Sequence, residues 1–381
     1  AHDAIVMGAG SIGVPTAVAL AERKMKVLVV ESMPSPGQGQ NKAAIGGIRA
    51  THSDGSKIRA CLRSLEIFGA WEEKHGDKIG WHKGGYTFPA YTESDEKMMR
   101  DLLKVQQGFG LNINWISRED MLELVPGICA ENLRGGTYCP DDASASPLLC
   151  SQAFYRHAKR LGVEFRFKES VASVIVENGA VKGLVTSKDT YHAPWVINAA
   201  GANAKDICAM VRLDVPIMPD THEAAVTEPV RRMFEPMVVD IRPEHDSKNC
   251  YFYQNEENQV IFCYTLNPQA WGTSRQATSA FLPTASRRLV NLLPKLASVK
   301  VRRTWRGLYP MTPDGFPIVD TMEDPRGFVV AGGMCGQGFM MGPGTGELVA
   351  CMVSGTLSAV QKEILSGFSS RRNFSGMEKF S

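Results

Sequence analysis

Residues 3–32 read DAIVMGAGSIGVPTAVALAERKMKVLVVES, and the fold turns on this stretch. Four apolar residues, Ala4 to Met7, run into Gly8-x-Gly10-x-x-Gly13; Val14, Ala17, Val18 and Leu20 then recur at helical spacing. A second apolar run, Val27 to Val30, ends on Glu31. Strand, glycine turn, helix, strand and terminal acid, in that order, describe a βαβ unit built for a dinucleotide. The turn Gly8-Ala9-Gly10-Ser11-Ile12-Gly13 lets backbone approach a pyrophosphate, and the helix N-terminus offers free N–H groups to it. Glu31, with Ser32 beside it, accepts hydrogen bonds from ribose hydroxyls. The unit alone does not separate NAD from FAD, and a βαβ crossover with no nucleotide is the plain alternative.

At 381 residues the chain exceeds one ordinary core, which predicts two domains or one domain with a large insertion. Forty-two basic against forty acidic residues leave a net charge of +2, with no block of like charge to serve as a nucleic-acid footprint. The longest apolar runs are strand-length, short of the roughly 20 residues that span a bilayer, and residues 1–13 read as strand and turn instead of a signal peptide. The expectation is a soluble, cytoplasmic protein with no transmembrane segment. The nine cysteines include no CxxC pair and no histidine at metal-ligand spacing, so reduced thiols and no metal site are expected.

Outward from the opening unit, SPGQGQNKAAIGGIRATHS, residues 35–53, is a long irregular loop of the kind that usually carries function. Its Arg49 follows Gly46 and Gly47 and is either a ligand-facing guanidinium or a surface arginine. Residues 57–75 read as helix and GWHKGGYTFPAYTE as a strand pair; 94–109 and 118–125 read as amphipathic helices, the second opening on a capping box, Ser117-x-x-Asp120. Asn178-Gly179 marks a tight hairpin, and the apolar run 194–199 closes on Gly201. Between 215 and 300 the pattern alternates as in antiparallel strands, followed by helix at about 276–293. The segment AGGMCGQGFMMGPGTGE, residues 331–347, is a second glycine-rich loop with a helix expected after Pro343, and residues 369–380 form a docked or frayed tail.

GAGSIG with Glu31, Gly46-Gly47-Ile48-Arg49, VINAAGA, TPDGFPIVD and VVAGGMCGQGFMMGPGTGE occur in an order that resembles the D-amino-acid-oxidase-like flavoproteins. The chain looks most like the branch of monomeric sarcosine oxidase, glycine oxidase and the β subunit of dye-linked L-proline dehydrogenases. The resemblance spans nearly the whole chain. It implies FAD and an α/β (α+β overall) fold: a Rossmann-like FAD-binding domain with an interleaved substrate domain on a mixed or antiparallel sheet. The expected division is 1–86, 145–215 and 300–381 for FAD, with 87–144 and 216–299 for substrate.

By that resemblance Gly8, Gly10, Ser11, Ile12 and Gly13 hold the pyrophosphate, Glu31 and Ser32 the adenosine ribose, and Val171 the adenine through its backbone. Ala43, Ala44, Gly46 and Gly47 line the flavin, Ala200 and Gly201 lie on the ribityl side, and Gly307, Gly336, Gln337, Gly338, Phe339 and Met340 complete the ring site. Arg49 matches an arginine that helps bind the substrate carboxylate, and Met340 stands where sarcosine oxidase has a second carboxylate-binding lysine. Gly307 replaces the cysteine that carries flavin covalently, so non-covalent FAD is implied. Tyr309 stands where glycine oxidase has its anchoring arginine. Ile261 replaces the lysine credited with activating O2, and Thr265 the nearby histidine.

A fixed cation beside the flavin stabilises the superoxide that O2 becomes on its first reduction, so Ile261 favours an acceptor other than O2. The implied activity is oxidation of the C–N bond of a secondary or tertiary amino acid, N-methyl or cyclic, to an imine. Electrons would pass to a quinone, dye or partner subunit. The alternatives are an O2-using oxidase of sarcosine or glycine type, and a non-catalytic flavoprotein relay subunit. Tyr251 and Tyr253 share a strand face and either place a hydroxyl over the substrate or pack in the sheet. Thr265 bonds substrate or satisfies a sheet position. No acid–base residue is assigned. His82, Trp305 and Cys335 read more readily as structural than as reactive groups.

Overall fold

The computed structural model of the chain describes residues 1–378. Its centre is a six-stranded sheet in the order Ile318–Thr321, Phe328–Gly332, Trp195–Asn198, Ala4–Met7, Val27–Glu31, Glu164–Phe167. The last five run parallel, and Ile318–Thr321 closes one edge antiparallel. Strand alternation divides the side chains between two cores. Val6, Val29, Ile197 and Val329 pack against helices Gly13–Glu22, Gly55–Gly69, Pro147–Arg160 and Gly338–Ser354. Ile5, Leu28, Val196 and Phe328 pack the other way, against the three-stranded sheet Val171–Glu177, Ala180–Thr186, Thr190–His192 and the helix Ala204–Ala209. Cover on both faces explains why the inner strands Ala4–Met7, Val27–Glu31 and Phe328–Gly332 carry continuous apolar runs, whereas the edge strand Glu164–Phe167 alternates charged and aromatic residues.

The second large sheet has eight strands, in the order Val301–Met311, Met218–Pro229, Gln259–Leu266, Ser247–Gln254, Met237–Asp240, Tyr86–Ala90, Gly135–Cys139, Asn114–Ile116. It is mixed: only the pair Met237–Asp240 with Tyr86–Ala90 is parallel. Helix Phe281–Leu292 covers one face through Phe281, Ala285, Leu289 and Leu292. The strand Val301–Met311 pairs along its length with Met218–Pro229, and Tyr86 opens another strand of this sheet. We propose that the boundary between cofactor and substrate units follows the sheets, which moves both segments to the substrate side. Residues 379–381 of the expected 300–381 segment lie outside the described residues.

Local chemistry sets most element ends. Asp54 accepts from the amides of Ser56 and Lys57 to start its helix, capping boxes open the helices at Thr92, Ser117 and Ser358, and Ser146 caps a helix with proline at its first turn. Asn178 and Gly179 take φ of 52° and 68°, as the tight hairpin requires.

Three local expectations are corrected. GWHKGGYTFPAYTE is one strand, Tyr86–Ala90, because its partner comes from Gly135–Cys139 instead of the adjacent segment; His82 makes only an isolated bridge to Ser144. The helix expected from about 276 begins at Phe281. The C-terminal helix begins at Gly338, so Pro343 falls in its second turn and leaves the Phe339 carbonyl without its helical donor. The tail is docked as far as Glu378, with residues 379 and 380 outside the described residues: Arg372 pairs with Asp314 at 2.7 Å, and Glu378 Oε1 accepts from the Ser53 hydroxyl at 2.6 Å.

Candidate active site

A cavity with about 1350 Å³ of empty space opens at the carboxyl ends of Ala4–Met7, Val27–Glu31 and Trp195–Asn198. Gly8, Gly10, Ser11, Ile12, Glu31, Ser32, Val171, Ala200 and Gly201 all line it. Gly8 has φ +107°, and a β-carbon there would meet the Ala199 carbonyl at 2.5 Å, whereas one on Gly10 would meet nothing within 4 Å. That open space, at the N-terminus of a helix with no acid in its first turn, is where an anion can approach backbone N–H groups. Gly13 does not line the cavity; its missing side chain lets the turn close against the Gly8 carbonyl. The Glu31 carboxylate accepts from the Ala9 amide at 2.7 Å and the Met33 amide at 2.8 Å, which fixes it at the strand end. Asn41 lines the same cavity with its side-chain Oδ1 buried and without a hydrogen-bond partner among the described residues. A dinucleotide with hydroxyl donors and a pyrophosphate fits this donor and acceptor set.

A second cavity, with about 990 Å³ of empty space, lies between the loop after the 3-10 turn Asn41–Ala43, the C-terminal glycine loop and the eight-stranded sheet. Ala44, Gly46, Gly47, Arg49, Tyr251, Thr265, Gly336, Gln337, Phe339 and Met340 line it. A side pocket containing Gln40, Ala43 and Gly307 shares walls with both cavities. Gln337 is buried, and its Oε1 has no hydrogen-bond partner among the described residues, leaving an acceptor at the cavity wall for a group such as a flavin imide N–H. Gly338 is off the lining, beside Met334 and the Ser11 hydroxyl. The glycines further along have another duty. β-carbons on Gly342, Gly344 and Gly346 would meet backbone atoms of Ser11 at 2.1 Å, Ala60 at 2.3 Å and Pro15 at 2.7 Å. They let three helices close on one another and do not face the cavity.

Arg49 is held at the cavity wall from behind. The strand Gly47–Ile48 pairs with Ala143–Ser144, and buried Asp142 accepts from the Ala50 amide at 2.7 Å and from the Thr51 hydroxyl. Burial pushes the Asp142 carboxyl up to about 6 against those hydrogen bonds. The Arg49 guanidinium donates to the Thr51 carbonyl, stands 3.3 Å from His52 Nδ1 and lies 5.9 Å from the Phe88 ring centroid. Burial first, then the charges of Arg49 and Lys57, hold His52 well below the usual histidine range, so the ring is neutral and its Nδ1 accepts.

The sheet presents one face to the cavity, and the register fixes which residues share it. Tyr251 lies opposite Cys263, Tyr253 opposite Ile261, and Asn249 opposite Thr265. The Tyr251 hydroxyl is 3.0 Å from that of Tyr309. The Tyr253 hydroxyl donates to the Ile45 carbonyl, so this residue holds the loop and is not on the lining. Ile261 packs in the apolar cluster of Tyr86 and Tyr253, also off the lining. Trp305 Nε1 donates to the Ala43 carbonyl at 2.9 Å, and His82 stands 2.9 Å from Glu235, away from both cavities. Cys335 lines the cavity with φ +52°, its thiol directed to the Gly333 carbonyl at 3.4 Å.

Sequence reasoning missed Asp220, His222 and Lys248, all on this cavity. The signal was present: Asp-x-His in an alternating strand puts both side chains on one face. Among the described residues no single helix is long and apolar enough to cross a membrane.

Residues 3–352 match the family described as DAO, FAD dependent oxidoreductase. The chain is 26% identical to a glycine oxidase of Bacillus licheniformis over 97% of each chain. It is 27% identical to a glycine oxidase of Geobacillus kaustophilus over 92% of this chain and 93% of that one. Among solved structures, L-proline dehydrogenase from P. horikoshii superimposes with a TM-score of 0.91 at 28% identity, covering 97% of each chain.

Proposed function

Because the chain belongs to the DAO family of FAD dependent oxidoreductases, we propose that it oxidises the C–N bond of a secondary or tertiary amino acid, N-methyl or cyclic, to an imine and passes the electrons to an acceptor other than O2. The observation that carries this reading is the buried guanidinium of Arg49 in the wall of a cavity that also presents the apolar side chains of Met237, Val239, Met311 and Met340, the rings of Tyr251 and Tyr309, and the polar groups of Asp220, His222 and Lys248. Arginine keeps its charge when desolvated and matches a carboxylate through two parallel hydrogen bonds. The apolar walls supplied by Met237, Val239, Met311 and Met340 suit the carbon skeleton of a cyclic or N-alkyl amino acid.

Gly8, Gly10, Ser11 and Ile12 of the glycine turn, Glu31 and the Val171 backbone would hold the nucleotide half of the FAD, and Ala43 to Gly47 with Gly336, Gln337, Phe339 and Met340 the ring. FAD held there would supply the hydride acceptor for oxidation at the carbon next to the substrate nitrogen. Around it, the chain's own groups orient and desolvate the substrate: Arg49 fixes the carboxylate, while Tyr251 and Tyr309 wall one side and exclude water.

An anaerobic screen tests the reading. Sarcosine, dimethylglycine, proline, hydroxyproline and pipecolate are added to the holoenzyme, and bleaching of the flavin absorbance is followed. Bleaching by at least one supports amine oxidation, and none by any of them defeats it. The identity to the Bacillus and Geobacillus glycine oxidases favours a second reading, an O2-using oxidase of glycine type. Bleaching by glycine and rapid recovery in air would select it.

A further inference from the structure

We propose that His222 and Asp220 form a proton-accepting pair for the substrate's ammonium group, with His222 Nδ1 as the atom that receives the proton. The inference rests on the amine-oxidising reading above and deepens it.

The two residues alternate along Met218–Pro229, so they share the cavity face, with Asp220 opposite Tyr309 and His222 opposite Gly307. The Asp220 carboxylate is 1% exposed and meets four donors. Oδ1 accepts from the amides of Thr221 and Ala270, both at 2.9 Å; Oδ2 accepts from Gln269 Nε2 at 3.3 Å and lies 3.0 Å from His222 Nε2. Burial pushes this carboxyl up, but the hydrogen bonds from His222, Gln269 and Thr221 outweigh it and hold it below the usual range. An ionised carboxylate only accepts, so the shared hydrogen sits on His222 Nε2. Nδ1 of the neutral ring is then an acceptor, and it is buried with no hydrogen-bond partner among the described residues. A buried acceptor without a donor costs free energy unless something in the cavity supplies one.

The ring cannot turn away to find another partner. It stacks on Tyr309 with centroids 3.7 Å apart at 19°, and the Tyr309 hydroxyl is held at 3.0 Å by Tyr251. His222 is thus fixed in tautomer and plane, beside the residues that would bracket the substrate.

An amino acid arrives with its nitrogen protonated, and the neighbouring carbon cannot release a hydride until that nitrogen has a free lone pair. In the step inferred, one ammonium N–H bond breaks, its electron pair stays on the substrate nitrogen, and the proton forms a bond to Nδ1. The resulting imidazolium is countered by the Asp220 carboxylate, so charge and protons balance. The proton leaves to solvent once product departs. The other titratable groups on the two pockets that His222 lines are Tyr309 from Val301–Met311, Tyr251 and Lys248 from Ser247–Gln254, Cys263 from Gln259–Leu266, Glu223 on its own strand, and Tyr86, Cys335 and Arg49. Burial raises Tyr251, Tyr309 and Cys263, which leaves them protonated at neutral pH. Arg49 and Lys248 oppose the imidazolium, and Asp220 is the compensating charge.

The test is anaerobic stopped-flow reduction of the holoenzyme by whichever amino acid bleaches it, across pH, for wild type, His222→Gln and Asp220→Asn. His222→Gln should slow reduction about 100-fold near pH 7 and recover toward about pH 10, where the amine deprotonates without help. Asp220→Asn should give a smaller loss in the same direction. Binding of tetrahydrofuran-2-carboxylate, which has the carboxylate but no ammonium, should change less than about threefold. In 15N-histidine spectra, the ring signal that disappears in His222→Gln should read as the Nε2–H tautomer. An unchanged pH profile, an Nδ1–H tautomer, or an equal loss of tetrahydrofuran-2-carboxylate binding would overturn the pair alone. Failure of every amino acid to reduce wild-type flavin would overturn the amine reading, and the pair with it.

Discussion

Gly307 sits directly across the strand ladder from His222, and a β-carbon placed on it would stand 2.6 Å from the Cβ of Ala43. No side chain enters at this position without displacing the loop that Trp305 holds through the Ala43 carbonyl. The absence of a thiol and the lack of room for one point the same way. Acid precipitation of the holoenzyme should release the flavin into the supernatant, and Gly307→Cys should lower FAD content per chain instead of creating a covalent link. Flavin that stays with the precipitated wild-type protein would contradict this.

Arg49 depends on neighbours that do not reach the cavity. The Thr51 carbonyl and His52 Nδ1 hold its guanidinium, and Asp142 holds the backbone on which Thr51 sits. Arg49→Lys keeps the charge but loses the planar fork. Its expected cost in kcat/KM for an amino-acid substrate is about 2–3 kcal/mol, roughly 30- to 150-fold. Steady-state kinetics with a dye acceptor read it directly, and unchanged kinetics would remove Arg49 from substrate binding.

The opening βαβ unit was legible because each of its parts is local: strand, turn and helix follow one another, and Gly8, Gly10, Ser11, Ile12 and Glu31 meet at one cavity. The packing role of the C-terminal glycines was not legible for a matching reason. Gly342, Gly344 and Gly346 touch Ser11, Ala60 and Pro15, contacts hundreds of residues away in sequence that no local pattern announces. Tyr251 and Tyr253 looked equivalent by alternation, yet one faces the cavity and the other bonds the Ile45 carbonyl. Asp220 and His222 were missed because what surrounds them comes from other segments of the chain: Gln269 and Ala270 donate to Asp220, and Tyr309 stacks on His222. Periodicity assigns a face; it does not say what covers it.

Asp142 gives the fold a pH signature. Its folded-state value near 6 lies above the ordinary value of about 3.9 in an unfolded chain. Below the lower value both states are protonated and the group is neutral to stability. As pH rises from about 4 to about 6, the unfolded chain loses this proton first, so stability falls by up to about 3 kcal/mol. Asp142→Asn can still accept from the Ala50 amide, and it removes the titration. Thermal melts of the variant should therefore lose the wild-type decline over that window. A decline of equal size in the variant would assign it to other groups.

Ile261 bears on where the electrons go. It lies opposite Tyr253 and Val226, partly buried in the cluster of Tyr86 and Tyr253, and supplies no charge to the ring side of the cavity. Substrate-reduced enzyme should hand electrons to a dye such as dichlorophenolindophenol about tenfold or more faster than to dissolved O2, since nothing at this position stabilises the superoxide anion. Ile261→Lys should narrow that ratio. A lysine in an apolar cluster has its pKa lowered by desolvation, so the gain in O2 reactivity should be greatest at low pH, where the ammonium is charged, and fade as pH rises. Stopped-flow reoxidation in air-saturated buffer at several pH values measures both effects. Native reoxidation as fast with O2 as with dye would assign the protein to the oxidases.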